Sequence, residues 1–354
     1  MKTEPWAQGS HTDLFILQKR RMFHMRWSSL LLALLLAVAA CSPADSGNNT
    51  TTTTTATAIT AEPSSTTTNV ADVDFPATVV DDNGPVTIER RPEAIVSLSS
   101  TATEMLYAVG AGSQVVAVDD QSNYPTDAPI TDLSGFTPNL EAILAYQPDL
   151  VIIGFDPADN PISEALEAVD VPTIFLNAAS TIDNVYRQIE LIGQATGHAE
   201  SAAEVSTEIA EALNAVVVRV GDIGEGVTYY HELDATLFTV TSGTFIGEIY
   251  GLLGLVNIAD PADADGSSGG FPQLSSEFIV AEDPDIIFLA DAAYGESLQT
   301  ISERPGWGAM TAVQSGAVVG LDADISSRWG PRIVDFLDVV AAAVEEHVGA
   351  TTSG

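Results

Sequence analysis

Two arginines spaced four residues apart, Arg328 and Arg332, are the side chains of this sequence best suited to hold an oxygen-rich ligand. Their planar guanidinium groups match carboxylate, hydroxamate or phosphate oxygens. They are conspicuous because the only Lys or Arg residues after Cys41 are seven arginines. We expect Arg328 to face a ligand and Arg332, which starts the final helix, to be structural. Trp329 could lie over a flat ligand face or pack under its loop.

Histidines offer a weaker kind of site. His198, His231 and His347 lie in the part of the chain predicted to fold, and no two of them have the spacing of metal ligands. His231 ends an apolar run and could reach a cleft, where it or Tyr230 could ligate haem iron. The alternative is a strand-end histidine satisfied by a neighbour. No metal site is predicted beyond this weak candidate.

Several enzyme motifs are missing from the sequence. It contains no Gly-rich phosphate loop with Lys and no His-Glu-x-x-His, and no lysine after Cys41 could act as a base or Schiff-base former. The acidic pairs Asp81-Asp82 and Asp119-Asp120 could be hydrolytic carboxylates, but they are interpreted as solvated loop charges. A binding protein is therefore favoured over an enzyme, and an adhesin or structural lipoprotein is the third class.

The first 40 residues have the layout of a secretory signal. Basic residues precede an uncharged apolar run at 30–40, which is too short to span a bilayer. The run ends as Val38-Ala39-Ala40-Cys41 and resembles the bacterial lipobox. We expect residues 1–40 to be removed and Cys41 to carry lipid that holds the protein to the outer face of the cell membrane.

Charge and composition restrict the partners and the domain plan. The chain has 49 acidic and 12 basic residues, a formal charge of -37, which excludes a protein that grips nucleic acid by general electrostatics. Residues 41–74 form a threonine-rich linker with too little apolar content to fold. They would let a globular body stand away from its lipid anchor.

The remaining sequence predicts an α/β protein with parallel strands. From Phe75 onward, β-branched apolar runs bounded by Gly, Pro, Asp or Asn alternate with helical patterns. Thr101-x-x-Glu104 has the spacing of a capping box in the helix after the first strand. The predicted strands are 94–98, 115–118, 150–153, 173–176, 227–231, 286–289 and 318–320.

A long helical stretch separates the two sets of strands. Residues 182–196 have helical spacing and stop at Gly197, and residues 199–220 then continue without Gly or Pro. The second helix would be ~33 Å long at 1.5 Å per residue, enough to cross between domains. The predicted plan is an N-terminal lobe at 75–198, a backbone helix at 199–220, a C-terminal lobe at 221–348 and a tail at 349–354.

The two predicted lobes share a local pattern. Residues 140–152 and 276–288 both read as a short helix, a Pro-Asp turn and a buried strand. This correspondence makes Glu141 and Glu277 equivalent, each in the first turn of its helix. They could simply interact favourably with the helix dipole, or they could form a symmetric docking surface for basic residues of a partner.

The part of the chain that is predicted to fold contains seven short motifs in a particular order. They are Arg91-Pro92-Glu93-Ala94-Ile95-Val96-Ser97-Leu98, Ser100-Thr101-Ala102-Thr103-Glu104, Tyr124-Pro125, the segment 139–149, Phe271-Pro272-Gln273-Leu274-Ser275, Arg304-Pro305-Gly306-Trp307 and Arg328-Trp329-Gly330-Pro331-Arg332. Their order and spacing over residues 85–345 resemble the helical-backbone substrate-binding proteins of ABC importers for iron chelates and vitamin B12. The resemblance implies two α/β lobes, each with a mostly parallel sheet, joined by one long helix, with a single ligand between them.

The resemblance also implies which residues touch the ligand. By similarity to the vitamin B12-binding member, Tyr124 is the foremost contact, although it could instead pack beside a turn. Phe271 stands where that member has a tryptophan, and Val240 stands where it has a phenylalanine. Gly135 takes the place of a further tryptophan, with Phe136 next to it. These departures leave vitamin B12 in doubt as the ligand.

The function implied by the resemblance is that of an extracytoplasmic, lipid-anchored receptor. It would capture a ferric siderophore or cobalamin and deliver it to a permease and its ATPase, with Glu141 and Glu277 pairing with arginines of the two permease halves. The chelate would be cargo, since no intrinsic cofactor is expected, and we expect a monomer with no nucleic-acid partner. A receptor for haem or a bare transition metal is the alternative.

Overall fold

Two parallel sheets, whose strands come before and after a long helix in the chain, make the frame of this protein. The computed structural model describes residues 73–159 and 161–352, so the predicted signal, Cys41 and nearly all of the linker lie outside the described residues. The strands are β1 (Ala77–Val80), β2 (Pro85–Ile88), β3 (Ile95–Leu98), β4 (Val115–Asp119), β5 (Ile130–Leu133), β6 (Leu150–Ile153), β7 (Thr173–Phe175), β8 (Thr228–Glu232), β9 (Val256–Asn257), β10 (Ile286–Leu289) and β11 (Val318–Gly320).

Helices connect these strands. They are α1 (Ser100–Ala108), α2 (Leu140–Leu144), α3 (Ile162–Glu167), α4 (Ile182–Thr196), α5 (Ala199–Val220), α6 (Phe245–Gly251), α7 (Ser276–Glu282), α8 (Leu298–Ser302), α9 (Thr311–Ser315), α10 (Ala323–Ser327) and α11 (Ile333–Thr352). Among the described helices, none is long and apolar enough to span a membrane.

The strand order confirms the predicted fold class. The N-terminal lobe has a five-stranded sheet in the order β5-β4-β3-β6-β7, and the C-terminal lobe has a four-stranded sheet in the order β11-β10-β8-β9. Every pair in both sheets is parallel, whereas β1 and β2 form a separate antiparallel hairpin. The central strands β3, β6 and β10 are buried along their whole length, as expected when helices cover both faces of a parallel sheet.

The long helix forms as predicted. Helix α5 runs unbroken over Ala199–Val220, and the preceding helix α4 ends at Gly197 in the left-handed conformation that glycine adopts without strain. The apolar residues along one side of α5, among them Ile209, Leu213 and Val216, are buried. This side is where the helix packs into the body of the protein.

A single apolar core extends through both lobes. It includes Ile95 and Ile152 from the N-terminal sheet, Leu213 from α5, and Tyr229 and Phe288 from the C-terminal sheet. Each sheet also has a smaller apolar cluster of its own on its other face. Because the backbone helix is part of the shared core, we expect the lobes to move only slightly against each other.

The local repeat between the lobes is present in the structure. Helix α2 begins after Asn139, whose side chain accepts from the Ala142 N–H at 2.9 Å, and α7 begins after Ser275, whose hydroxyl accepts from the Phe278 N–H at 3.1 Å. Both residues are therefore N-caps that satisfy a free N–H of the first turn.

Asp81 and Asp82 lie in the turn between β1 and β2, where Asp82 is exposed as the interpretation of solvated loop charges expects, but both also make structural hydrogen bonds. The Phe175 N–H donates to Asp81 Oδ2 at 2.7 Å, and the Asn177 N–H donates to Asp82 Oδ2 at 2.7 Å. These carboxylates satisfy backbone groups at the end of β7, and so fasten the β1–β2 hairpin to the N-terminal sheet.

Candidate ligand-binding cleft

The carboxyl edges of the two sheets meet at one place in the structure. The loop after β4, which carries Gln121 and Asn123, contacts the segment after β11. Asn123 Nδ2 donates to Asp324 Oδ2 at 2.7 Å, and Arg328 Nη2 donates to the Gln121 carbonyl at 3.0 Å. In open α/β sheets, ligands bind outside the carboxyl ends of the strands. The candidate site is therefore the cleft between these two edges.

Four charged residues hold the lobes together beside this cleft. In this interlobe cluster of Glu104, Asp324, Arg328 and Arg332, Arg328 Nη1 lies 3.0 Å from Glu104 Oε1 and Arg328 Nη2 lies 2.7 Å from Asp324 Oδ1. Arg332 Nε and Nη2 donate to the two Glu104 oxygens at 2.9 and 2.6 Å. One buried carboxylate on α1 thus binds two guanidinium groups from the C-terminal part of the chain.

The two arginines are both at the cleft edge, but Arg328 Nη1 and Nη2 and Arg332 Nε and Nη2 already donate to other groups of the protein. Arg328 donates to Asn123 Oδ1 at 2.8 Å in addition to Glu104, Asp324 and the Gln121 carbonyl. The pKa of Arg332 is raised, chiefly by its hydrogen bonds with Glu104. Arg332 is structural, as expected, and ligand contact by Arg328 remains a prediction.

The capping-box interpretation of Thr101 and Glu104 is wrong. The N-cap of α1 is Ser99, whose hydroxyl accepts from the Ala102 N–H at 3.3 Å, so Glu104 lies two residues beyond the position that a capping box requires. Its side chain is 1% exposed and points at the two arginines. A carboxylate among the apolar residues of a core helix needs a cationic partner, and this was the signal that sequence reasoning missed.

Tyr124 lies at the edge of the cleft and is 44% exposed. The Arg332 guanidinium carbon lies 4.2 Å from the centre of its ring, a cation–π contact that holds one ring face. Asp119, at the end of β4, stabilises the loop that carries Tyr124 by accepting a hydrogen bond from the Ser122 hydroxyl at 2.6 Å. Asp119 is 3% exposed and its pKa is raised by burial, so it is not a solvated loop charge.

Phe136 extends the aromatic wall of the N-terminal lobe. It is 41% exposed, and its ring centre lies 6.2 Å from that of Phe155, which follows β6 and was not predicted. A Cβ at Gly135 would lie 2.7 Å from Asp119 Oδ2 and 2.8 Å from the Leu98 carbonyl oxygen. No larger side chain fits there, so Phe136 supplies the aromatic ring at this point. Together, Tyr124, Phe136 and Phe155 follow the ends of β4, β5 and β6.

The C-terminal wall differs from its predicted composition. The Thr241 N–H donates to the Gly270 carbonyl at 2.8 Å, which pairs the segments that carry Val240 and Phe271. Phe271 is half-buried against the shared core, but the Val240 side chain is fully buried within it, so the prediction of Val240 as a ligand contact is wrong. Tyr294, just after β10, is 70% exposed and was not predicted.

Trp329 adopts the packed alternative. Its indole N–H donates to Gln188 Oε1 at 3.0 Å, and its ring is half-buried against the shared core. The residue therefore supports the segment between Arg328 and Arg332 from beneath.

The prediction of His231 as a weak metal candidate is wrong. Its side chain is fully buried, and Nδ1 lies 2.8 Å from the Tyr250 hydroxyl. Burial lowers the pKa of His231 to about 3, so the ring is neutral. Tyr230 is buried as well. Within the described residues, no group of three or more His, Cys, Asp or Glu side chains could hold a metal ion.

A second charged cluster lies at the carboxyl edge of the C-terminal sheet. In this C-lobe cluster of Glu232, Asp291, Glu296 and Arg304, the guanidinium of Arg304 donates to both Glu232 oxygens at 2.7 Å and to Glu296 at 2.8 Å. Asp291 is 4% exposed, and neither of its carboxylate oxygens has a hydrogen-bond partner among the described residues. Its pKa is raised to about 7, first by burial and then by the charge of Glu232.

The two glutamates predicted for docking lie at matching places. Glu141 and Glu277 are both exposed in the first turns of α2 and α7. Helix α2 follows the carboxyl end of β5, and α7 follows a loop of the C-terminal lobe that carries Phe271. Each glutamate is thus near the cleft rim of its own lobe.

This architecture can be compared with known proteins. A model of the family described as periplasmic binding protein matches residues 95–325. The chain belongs to the periplasmic binding protein family. It is accordingly an extracytoplasmic binding protein and not an enzyme.

The run Gly266-Ser267-Ser268-Gly269-Gly270 has the spacing of a hydrolase nucleophile motif, but it lies in a loop and not in the strand-to-helix turn that such a motif requires.

Relatives and solved structures agree with this family. The cobalamin-binding protein of Halobacterium salinarum is 30% identical over 279 residues, covering 76% of this chain and 74% of that protein. The Bacillus subtilis ABC transporter substrate-binding lipoprotein YvrC is 28% identical over 282 residues, covering 76% of this chain and 86% of that protein. The periplasmic vitamin B12-binding protein BtuF of Vibrio cholerae is 27% identical in its crystal structure, with a TM-score of 0.58 and coverage of 73% of this chain and 98% of that one.

Proposed function

We propose that this periplasmic binding protein is the substrate-binding lipoprotein of an ABC importer, and that it captures a corrinoid or a ferric siderophore between its lobes. The observation that carries the proposal is that exposed or half-buried aromatic side chains lie in loops at the carboxyl ends of the strands in both lobes. These side chains are Tyr124, Phe136 and Phe155 in one lobe and Phe271 and Tyr294 in the other.

The chemistry of these walls favours a large, flat and partly apolar ligand. Aromatic faces bury much apolar area and still leave polar edges for a few directed contacts. Corrinoids and metal chelates of siderophores have this mixed character. The names of the Halobacterium salinarum and Vibrio cholerae proteins support a corrinoid, whereas the buried Val240 and the phenylalanine at 271 favour a cleft of different shape from that of the B12-binding relative.

The buried His231 and Tyr230 make haem coordination from β8 unfavourable. Either side chain would have to leave the core to ligate iron, at a cost of a few kcal/mol for the lost packing. Haem is therefore not the ligand proposed.

Spectroscopic titration of the purified full-length protein tests the binding function. We expect cyanocobalamin or a ferric trihydroxamate to bind with saturation, and Tyr124→Ala to weaken that binding about tenfold because it removes one aromatic face. Tyr146→Ala is the matched control, since Tyr146 is also partly exposed but precedes the amino end of β6. Saturable binding of none of the chelates would contradict the function, and an unchanged dissociation constant for Tyr124→Ala would remove this residue from the site.

Docking to the permease is proposed to use Glu141 and Glu277. Both are exposed at the cleft rim, where a permease collecting the ligand would sit. The double variant Glu141→Gln with Glu277→Gln should reduce uptake in reconstituted vesicles without changing ligand affinity. Glu282→Gln, at the other end of α7, is the control and should transport normally. Normal uptake by the double variant would overturn the docking assignment.

Lipid attachment at Cys41 is the last part of the proposal. The support is the apolar run that ends at this cysteine, followed by a threonine-rich tether. Mass spectrometry of the protein recovered from its host membrane should find the mature chain beginning at a diacylated Cys41. Recovery of an unmodified Cys41 would contradict the anchor.

A further inference from the structure

We infer that the cleft discriminates by charge, so that the chelate carried by this protein is neutral or cationic and anionic chelates are rejected. This inference rests on the proposed function, and it concerns the class of ligand within it. The observation that carries it is that the cationic side chains of the described body are all already paired with partners in the protein.

All seven arginines have such a partner. Arg328 and Arg332 share Glu104, and Arg304 is held by Glu232 and Glu296. The four arginines outside these clusters pair as Arg90 with Asp149, Arg91 with His198, Arg187 with Asp82, and Arg219 with Asp338 and Glu345.

Other cations are scarce near the cleft. Residues 73–352 contain no lysine. His231 is neutral because burial lowers its pKa to about 3. An anion entering the cleft would therefore find no uncommitted positive side chain of Arg or Lys within the described body.

The interlobe cluster balances its own charge. Two carboxylates, Glu104 and Asp324, face two guanidinium groups, Arg328 and Arg332. To pair with either arginine, a ligand carboxylate would have to compete with Glu104, whose side chain is only 1% exposed. Expelling or uncoupling a buried charge is strongly unfavourable.

The surroundings of the cleft add negative charge. Asp120 is exposed in the loop that follows β4, and the C-lobe cluster contains three carboxyl groups around the single guanidinium of Arg304. The potential at both walls thus opposes an anion. Amide and hydroxamate groups carry no net charge and can still hydrogen-bond to polar groups of the loops.

Glu104 is on this account a specificity-determining residue. It does not touch the ligand in our assignment, but it decides whether Arg328 and Arg332 are available. Glu104→Gln keeps the side-chain shape and removes one negative charge, which leaves the interlobe cluster with a net positive charge at the cleft edge. This variant should gain affinity for anionic chelates.

The experiment compares ligands that differ in charge on the same full-length protein. One pair is cyanocobalamin and its monocarboxylate, in which one side-chain amide has been hydrolysed. The other pair is a ferric trihydroxamate that carries a free ammonium group and a ferric tricatecholate of charge −3. Whichever pair binds, we expect the dissociation constant at low salt to be at least about tenfold higher for its more negative member. The difference between the two dissociation constants should shrink as added salt screens the charges.

The variant arm uses Glu104→Gln with Asp338→Asn as its control. Both remove one carboxylate that pairs with arginine, but Asp338 is on α11 and pairs with the exposed Arg219. Glu104→Gln should reduce the ratio of the two dissociation constants within a pair about tenfold, and Asp338→Asn should leave that ratio unchanged. If Glu104→Gln does not fold, the ligand pairs measured on the unmodified protein decide the question by themselves.

The outcomes separate the two proposals. Equal or tighter binding of the more negative member of a pair overturns charge discrimination while the binding function stands. Binding of no chelate overturns the function and the inference together. Tighter binding of the neutral or cationic members, with a preference that salt reduces, supports the inference.

Discussion

The interlobe cluster and the C-lobe cluster both bury arginine among carboxylates, but with opposite balance. In the interlobe cluster, two guanidinium groups face Glu104 and Asp324, so positive and negative charges are equal. In the C-lobe cluster, Arg304 is the single cation that pairs with Glu232 and Glu296, and the carboxylate oxygens of the nearby Asp291 have no hydrogen-bond partner among the described residues. The interlobe cluster joins the two lobes by ion pairs, and the C-lobe cluster contains more carboxyl groups than its single guanidinium can pair with.

This difference shows that burying an arginine does not by itself make an anion site. What matters is the number of carboxylates that reach the arginine. The interlobe cluster leaves no surplus charge of either sign, whereas the C-lobe cluster leaves a surplus that Asp291 can relieve only by holding a proton. The two clusters should therefore respond differently to substitution and to pH.

The largest effect is expected for Arg304→Gln. It removes the only guanidinium of the C-lobe cluster and leaves buried carboxylates without a cation, which should lower the free energy of unfolding by about 3 to 5 kcal/mol. Urea denaturation at pH 7.5 measures it. Arg219→Gln is the control, because its ion pairs are about half exposed and should contribute less than ~1 kcal/mol. Similar losses in the two variants would contradict the comparison.

Glu104→Ala should have the next largest effect. Arg332 would lose its carboxylate partner, but Arg328 would keep Asp324, so we expect a loss of about 2 to 3 kcal/mol. The same denaturation series measures this loss. A change within ~0.5 kcal/mol would show that the cluster does not fasten the lobes.

Asp291→Asn should be stabilising at alkaline pH, with the smallest effect of the three. The folded-state pKa of Asp291 is raised to about 7, so the folded chain binds more protons than the unfolded chain between about pH 4 and 7. The contribution of Asp291 to the free energy of unfolding therefore falls as the pH rises through that window. At pH 8 the variant should be more stable by about 1 to 3 kcal/mol, and near pH 4 it should match the unmodified protein. Thermal unfolding at both pH values checks this, and an equal or lower stability at pH 8 would contradict it.

Much of the frame could be predicted from local patterns. Helices α4 and α5 have the predicted bounds, and β6, β10 and β11 match their predicted ranges, because long periodic or fully apolar runs carry their own signal. Strands β1, β2, β5 and β9 were missed. Their residues are partly exposed and have no continuous apolar run, so they depend on pairing with distant segments.

The site was less predictable because its key contacts join distant positions. Glu104 meets Arg328 across 224 residues of chain, and nothing local to either residue indicates the partner. Tyr124 and Phe136 could be placed by resemblance, but the burial of Val240 depends on how its segment pairs with that of Phe271. Phe155 and Tyr294 simply follow strand ends, a signal too general to single them out.

Hydrogen exchange on the full-length protein, with and without saturating cyanocobalamin or ferric trihydroxamate, tests the central claim most directly. If the chelate lies between the two lobes, backbone amides at 120–124, 134–137 and 291–295 should gain protection together, while those at 145–149, at the amino edge of the N-terminal sheet, should not change. Protection confined to one lobe, or greatest at 145–149, would contradict a ligand held between the facing carboxyl edges.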